Sequence, residues 1–226
     1  VKGHQADIGG NVRGGYNPNA TEVWQEALRI PPVKVYEKGK LKKDVWDLIF
    51  ANIRLDIVAH DMRAQMGACK VGERRLMALI EKYGMESYQA HKAALFEASR
   101  KMVEAEIAQI PNGVYSGEGM VYFDGHNEGT EFTIRVDITV GDNKISFDYS
   151  KTDEQTDGFV NGTFTSSASA TILTFLQMVN PEIPQREGRV KPIEMIIPEG
   201  TILNAKYPKA ATVGNHLCPP NADAII

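Results

Sequence analysis

The stretch TEFTIRVDITVGDNKISFDYS, residues 130–150, decides the fold class. Phe132, Ile134, Val136, Ile138 and Val140 alternate with Thr133, Arg135, Asp137 and Thr139, the two-residue period of a strand with one face buried. Gly141-Asp142-Asn143 is a turn signal, and Ile145, Phe147 and Tyr149 resume the alternation, so the stretch reads as an antiparallel hairpin. VYSGEGMVYFDG, residues 114–125, is β-rich as well, and the three segments together predict a meander.

Helical spacing dominates outside the meander. Ala94, Leu95, Ala98, Met102, Ala105 and Ile110 share one side of a helix expected over 87–109, which Pro111 and Asn112-Gly113 end. A longer helical pattern runs from Asp44 to Tyr83 through Val45, Leu48, Ile49, Leu55, Val58, Leu76, Leu79 and Ile80, with Gly84 as its stop. Gly67 and Gly72 are expected to bend it or to admit a neighbouring backbone. A short helix is expected over 21–29 with Thr21 as cap. TFTSSASATILTFLQMV (163–179) reads as another helix, VKPIEMIIPEGTILNA (190–205) as strand and turn, and a last helix starts near Pro219-Pro220. The expected fold is α+β, long helices packed with a mainly antiparallel β meander. It divides into a Gly-rich loop and helical region, 1–110, and a β-rich region with helices, 111–226. Val1 reads as part of a strand already under way and Ile226 as the start of a helix, so an incomplete domain of a larger subunit is expected.

The chain has 226 residues, 42% hydrophobic and 24% charged, with a net charge of −4. No Lys/Arg run is dense enough to follow a phosphate backbone, so nucleic acid is not an expected partner. The apolar stretch ATILTFLQMV falls far short of the roughly 20 residues that cross a bilayer, and no membrane association is expected. Cys69 and Cys218 are isolated, which fits a reducing, cytoplasmic setting.

The sharpest chemical signal is in VKGHQADIGGNVRGG, residues 1–15. His4 and Asp7, an imidazole and a carboxylate three apart beside two glycine pairs, suit Zn, Mn or Fe. A structural His and an Asp capping the following amides explain the same residues. Glu22 and Glu26, four apart, add carboxylates or form a solvated helix face. GGNVRGG matches neither phosphate-binding glycine pattern, so no nucleotide site is expected in this chain. His216 and Cys218 permit a Cys/His nucleophile reading or inert packing.

HQADIGG (4–10), ATEVWQEALRIPPVKVYEKGKL (20–41), DMRAQMGACKVGERRL (61–76), DYSKTDEQTDGFVN (148–161) and TVGNHLCPPNADAII (212–226) resemble, in order and spacing, successive blocks of the hydantoinase B family. That family includes acetone carboxylase α and acetophenone carboxylase chains, caprolactamase and the C-terminal half of 5-oxoprolinase. The resemblance implies a chain more than twice this length and a hydantoinase A-type partner that binds ATP and Mg and phosphorylates the substrate. It also implies a divalent metal on the B-type chain, with His4 and Asp7 as ligands and Glu22 and Glu26 as candidates. His216, in GNHLCPPN, would accept or deliver a proton. The expected reaction is carboxylation of a small ketone with bicarbonate to a 3-oxo acid, with ATP-dependent opening of a cyclic amide as the alternative. An inactive scaffold or assembly module is the other class, and these 226 residues alone are expected to be inactive.

Overall fold

A computed structural model describes residues 3–226, and the strand reading of Val1 lies outside them. The Gly-rich opening is loop until a 3-10 turn at Val23–Gln25, which replaces the helix expected over 21–29. Backbone groups of this stretch are engaged by distant segments. The Val23 N–H donates to the Pro208 carbonyl at 2.9 Å, and the Gln25 carbonyl accepts from the Asn11 N–H at 3.0 Å. Thr21 does not cap the turn; its N–H and that of Glu22 donate to Gln25 Oε1 at 2.7 and 3.2 Å.

β1 (Tyr36–Glu37) and β2 (Lys40–Leu41) form a small antiparallel hairpin. The element expected from Asp44 to Tyr83 is two helices, α1 (Lys43–Phe50) and α2 (Ile57–Tyr83). Asn52 Nδ2 turns back onto the Leu48 carbonyl at 2.7 Å, satisfying a terminal acceptor of α1, and Arg54 is drawn away to the opening loop. α2 runs through Gly67 and Gly72 without interruption, and a Cβ at either would meet nothing within 4 Å, so neither admits a neighbouring backbone. Gly84 ends α2, and α3 (Met85–Ile107) follows directly.

The sheet has strand order β3-β4-β5-β6. β3 (Gly113–Val121), β4 (Phe132–Gly141) and β5 (Lys144–Asp148) are the antiparallel meander, and β6 (Ile193–Ile196) adds to β5 in parallel. Gly141 pairs with Lys144, leaving Asp142 and Asn143 as a two-residue turn with φ of 52° and 58°, the type I′ geometry that matches strand twist. Ile134, Val136, Val140, Ile145 and Phe147 point inward and are buried, as their alternation requires.

α4 (Phe164–Val179) starts at Thr163, whose Oγ1 accepts from the Ser166 N–H, and Phe175 meets Phe147 edge-on at 5.7 Å. α5 (Cys218–Ile225) follows a 3-10 turn, Gly214–Leu217, and contributes Ala224 and Ile225 to the core beside Val103 and Ile107 of α3. α5 rests on β3 at backbone contact: a Cβ on Gly117 would collide with the Ala224 carbonyl, and one on Gly119 with the Pro220 carbonyl. The result is the expected α+β arrangement. No helix among the described residues is long and apolar enough to cross a membrane.

Candidate functional site

The opening loop is built around Asp7. Its Oδ1 accepts the Gly9 N–H at 3.0 Å and its Oδ2 the Gly14 N–H at 2.8 Å, while Arg54 Nη1 lies 2.9 Å from both oxygens. The same guanidinium donates to the Gly10 and Val12 carbonyls, so it ties down the whole turn. Gly14 has φ of 85°, which lets its amide face the carboxylate without strain. The Gly14 amide, then the Arg54 guanidinium and the Gly9 amide, hold the Asp7 carboxyl below its ordinary value, against the opposing effect of burial.

Beside this loop lies a cavity of about 860 Å³ whose wall includes His4, Asp7, Glu26, Thr163, Ser166, Thr212 and Asn215. Sequence-distant elements meet here: the opening loop, the N-terminus of α4 and the 211–215 loop. His4 is exposed at this wall. Glu26 Oε1 accepts the N–H groups of Ala211 and Thr212 at 2.6 and 2.5 Å. Glu22 pairs through its backbone with Lys209 and does not line the cavity. His216 is exposed on the turn just past Asn215, its ring 6.4 Å from that of Tyr16. Burial pushes the Cys218 thiol up, which makes thiolate scarcer and favours the packing reading over the nucleophile reading.

The residues that carry the metal expectation are therefore only partly brought together. His4 and Asp7 share a wall, but both oxygens of Asp7 are taken by N–H donors and a fixed cation. Among the described residues there is no group of three or more His, Cys, Asp or Glu placed to hold a metal ion. In this arrangement these side chains do not by themselves fit a metal centre. Sequence reasoning missed Arg54, which lies outside any periodic pattern, and missed that Thr163 and Ser166, read only as a helix start, face the same cavity as His4.

A family model described as Hydantoinase B/oxoprolinase matches residues 1–225. The chain belongs to the hydantoinase B/oxoprolinase family. Within that family it is 34% identical over 210 residues to the beta chain of the caprolactamase of Pseudomonas jessenii, covering 92% of this chain and 36% of that one. The crystal structure of the ATP-dependent caprolactamase from the same organism superposes with a TM-score of 0.89 at 31% identity, over 99% of this chain and 39% of that one. The B-type chain of a putative D-/L-hydantoinase of Pseudomonas sp. (strain NS671) is 32% identical over 217 residues, 91% of this chain and 37% of its own length. The nucleotide-free structure of acetone carboxylase has a TM-score of 0.82 at 18% identity, over 94% of this chain and 30% of that one, a likeness that shows the fold alone. This hydantoinase B-type chain thus spans well under half the length of the relatives it matches.

Proposed function

We propose that this chain is part of the B-type subunit of an ATP-dependent enzyme that opens a small cyclic amide, acting with a separate A-type subunit that binds ATP and Mg. The observation that carries the reading is the likeness to the ATP-dependent caprolactamase, which extends over 99% of the chain at a TM-score of 0.89. The sequence block GNHLCPPN puts ketone carboxylation first. The relatives that share 30% identity or more include a caprolactamase and a hydantoinase chain, which supports reversing that order.

Within the cavity, the chain's own residues divide the work. Asp7 and Arg54 hold the glycine-rich turn so that it forms one wall. Thr163 and Ser166 cap the N-terminus of α4 with their hydroxyls and so hold that end of the helix at the cavity wall. His4 on the wall and His216, next in sequence to the cavity-lining Asn215, are the imidazoles assigned to proton transfer. His4 and Asp7 would hold a divalent metal only with further ligands and with Arg54 released from Asp7.

The test is incubation of the complete B-type chain and its A-type partner with ATP and labelled bicarbonate over a panel of lactams, hydantoins and ketones. An unlabelled amino acid or carbamoyl amino acid supports ring opening. Label in an acid product selects ketone carboxylation instead, and turnover without ATP overturns both.

A further inference from the structure

We propose that Glu26 is a positioning residue that fixes the 211–216 loop against the opening loop, and not a metal ligand. The inference rests on the reading of the cavity as the reaction site. Glu26 Oε1 receives two N–H donors, Ala211 at 2.6 Å and Thr212 at 2.5 Å, from a segment 185 and 186 positions away. Oε2 takes part in none of the hydrogen bonds among the described residues.

The rest of that segment is registered in the same way. Asn161 Nδ2 donates to the Ala210 carbonyl at 2.9 Å, the Val213 N–H reaches the Phe159 carbonyl at 3.3 Å, and the Gly214 N–H closes back onto the Ala211 carbonyl at 3.1 Å. Every backbone N–H from 211 to 214 thus has a partner, and one carboxylate oxygen supplies two of the four. Two residues further on is His216, so the orientation of the segment decides where that imidazole stands relative to the cavity. On its other side, Glu26 is anchored by its backbone: its carbonyl lies where a Cβ on Gly10 would be, which is why the opening loop needs glycine there. Glu26 therefore connects the loop that carries Asp7 to the loop that carries His216. Oε1, already accepting two amides, suits the role of a fixed acceptor and leaves only Oε2 for a cation, the case that the glutamine variant tests.

A glutamine presents the same carbonyl oxygen in the same place, which separates the two roles. In the complete B-type chain with its A-type partner, amide hydrogen exchange is followed at Ala211 and Thr212, with a β5 amide such as Phe147 as the internal control, alongside turnover and bound metal. Glu26→Ala is expected to speed exchange at Ala211 and Thr212 about 10–100-fold, since it leaves two partly buried donors unpaired. Glu26→Gln is expected to keep exchange within about threefold of the wild type and to recover most of the turnover that alanine loses. Should the alanine variant not fold, Glu26→Asp, which withdraws the oxygen by one methylene, is expected to speed the two amides while Phe147 stays protected. Unaltered exchange in the alanine or aspartate variant overturns the proposal. So does loss of metal and turnover in Glu26→Gln with the two amides still protected, the signature of a ligand. Exchange is read without any substrate, so a failed ring-opening reading leaves this result standing.

Discussion

Nη1 of Arg54 lies 2.9 Å from each carboxylate oxygen of Asp7, across 47 positions of sequence. The Asp7 side chain is 7% exposed and that of Arg54 31%, so the pair is half withdrawn from water. Breaking a buried pair by removing one partner costs roughly 3–5 kcal/mol, and the exposure of Arg54 moves the expectation for Arg54→Ala to about 2 kcal/mol. Arg54→Lys is expected to recover less than half of that loss, because one ammonium cannot reach Asp7 and the Gly10 and Val12 carbonyls together. Urea unfolding midpoints of the two variants check both statements.

Acid sensitivity should come in part from Asp124, a buried carboxylate in the loop after β3. Burial raises its pKa, but the Asn127 and His126 amides at 2.7 and 2.8 Å, the Thr156 hydroxyl at 2.5 Å and the Asn127 side chain at 2.9 Å outweigh this and hold it at about 2. A carboxylate lowered in the folded state stabilises above its unfolded pKa, and that contribution is lost as pH falls from about 4 towards 2. At about 1.4 kcal/mol per unit the contribution near neutrality is on the order of 2 kcal/mol. Asp7, lowered in the same direction, adds to the same slope. Asp124→Asn is expected to lose stability at pH 7 and to lose about 1 kcal/mol less at pH 3, where roughly half of the contribution remains, measured as the difference in urea midpoint between the two pH values. An equal loss at both would remove the electrostatic explanation.

The backbone contact between β3 and α5 predicts a size limit. Overpacking typically costs about 1–3 kcal/mol when side chains can shift, and the colliding atom at Gly119 is the Pro220 carbonyl, so Gly119→Ala is expected at or above the upper end. Gly141→Ala is the control, since a Cβ there meets nothing within 4 Å. Thermal unfolding of the two variants should separate them by several degrees.

What the sequence disclosed was whatever local spacing encodes. The β4–β5 hairpin was legible because Asp142-Asn143 tolerates positive φ and the flanking alternation allows one register only. α4 was legible from Thr163 to Asn180 because cap and stop lie within the element. The break between α1 and α2 was not, because Arg54 leaves the helical pattern to serve Asp7, far away in sequence. The spacing of Glu22 and Glu26 suggests two carboxylates on one helix face, yet only a 3-10 turn forms there and the partners of Glu26 are amides near the other end of the chain. Periodicity carries no information about such pairings, so the site's ingredients were visible in the sequence while its assembly was not.

His4 offers the sharpest remaining test. It is exposed, it lines the cavity, and its neighbour Asp7 is already paired with Arg54. If His4 and Asp7 hold a divalent ion in the complete protein, the ion and Arg54 compete for one carboxylate. His4→Ala then removes a ligand directly and should lower bound Zn, Mn or Fe at least about tenfold, the smaller effect that even a supporting neighbour produces. Turnover should fall with metal content. His60→Ala, at an exposed histidine on α2 that does not line the cavity, should change neither. Metal analysis and turnover of the three proteins, each with its A-type partner, give the answer. Wild-type metal stoichiometry in His4→Ala, with turnover reduced, would move His4 from ligand to proton carrier; wild-type values for both would leave it a surface residue and return the cavity's chemistry to His216.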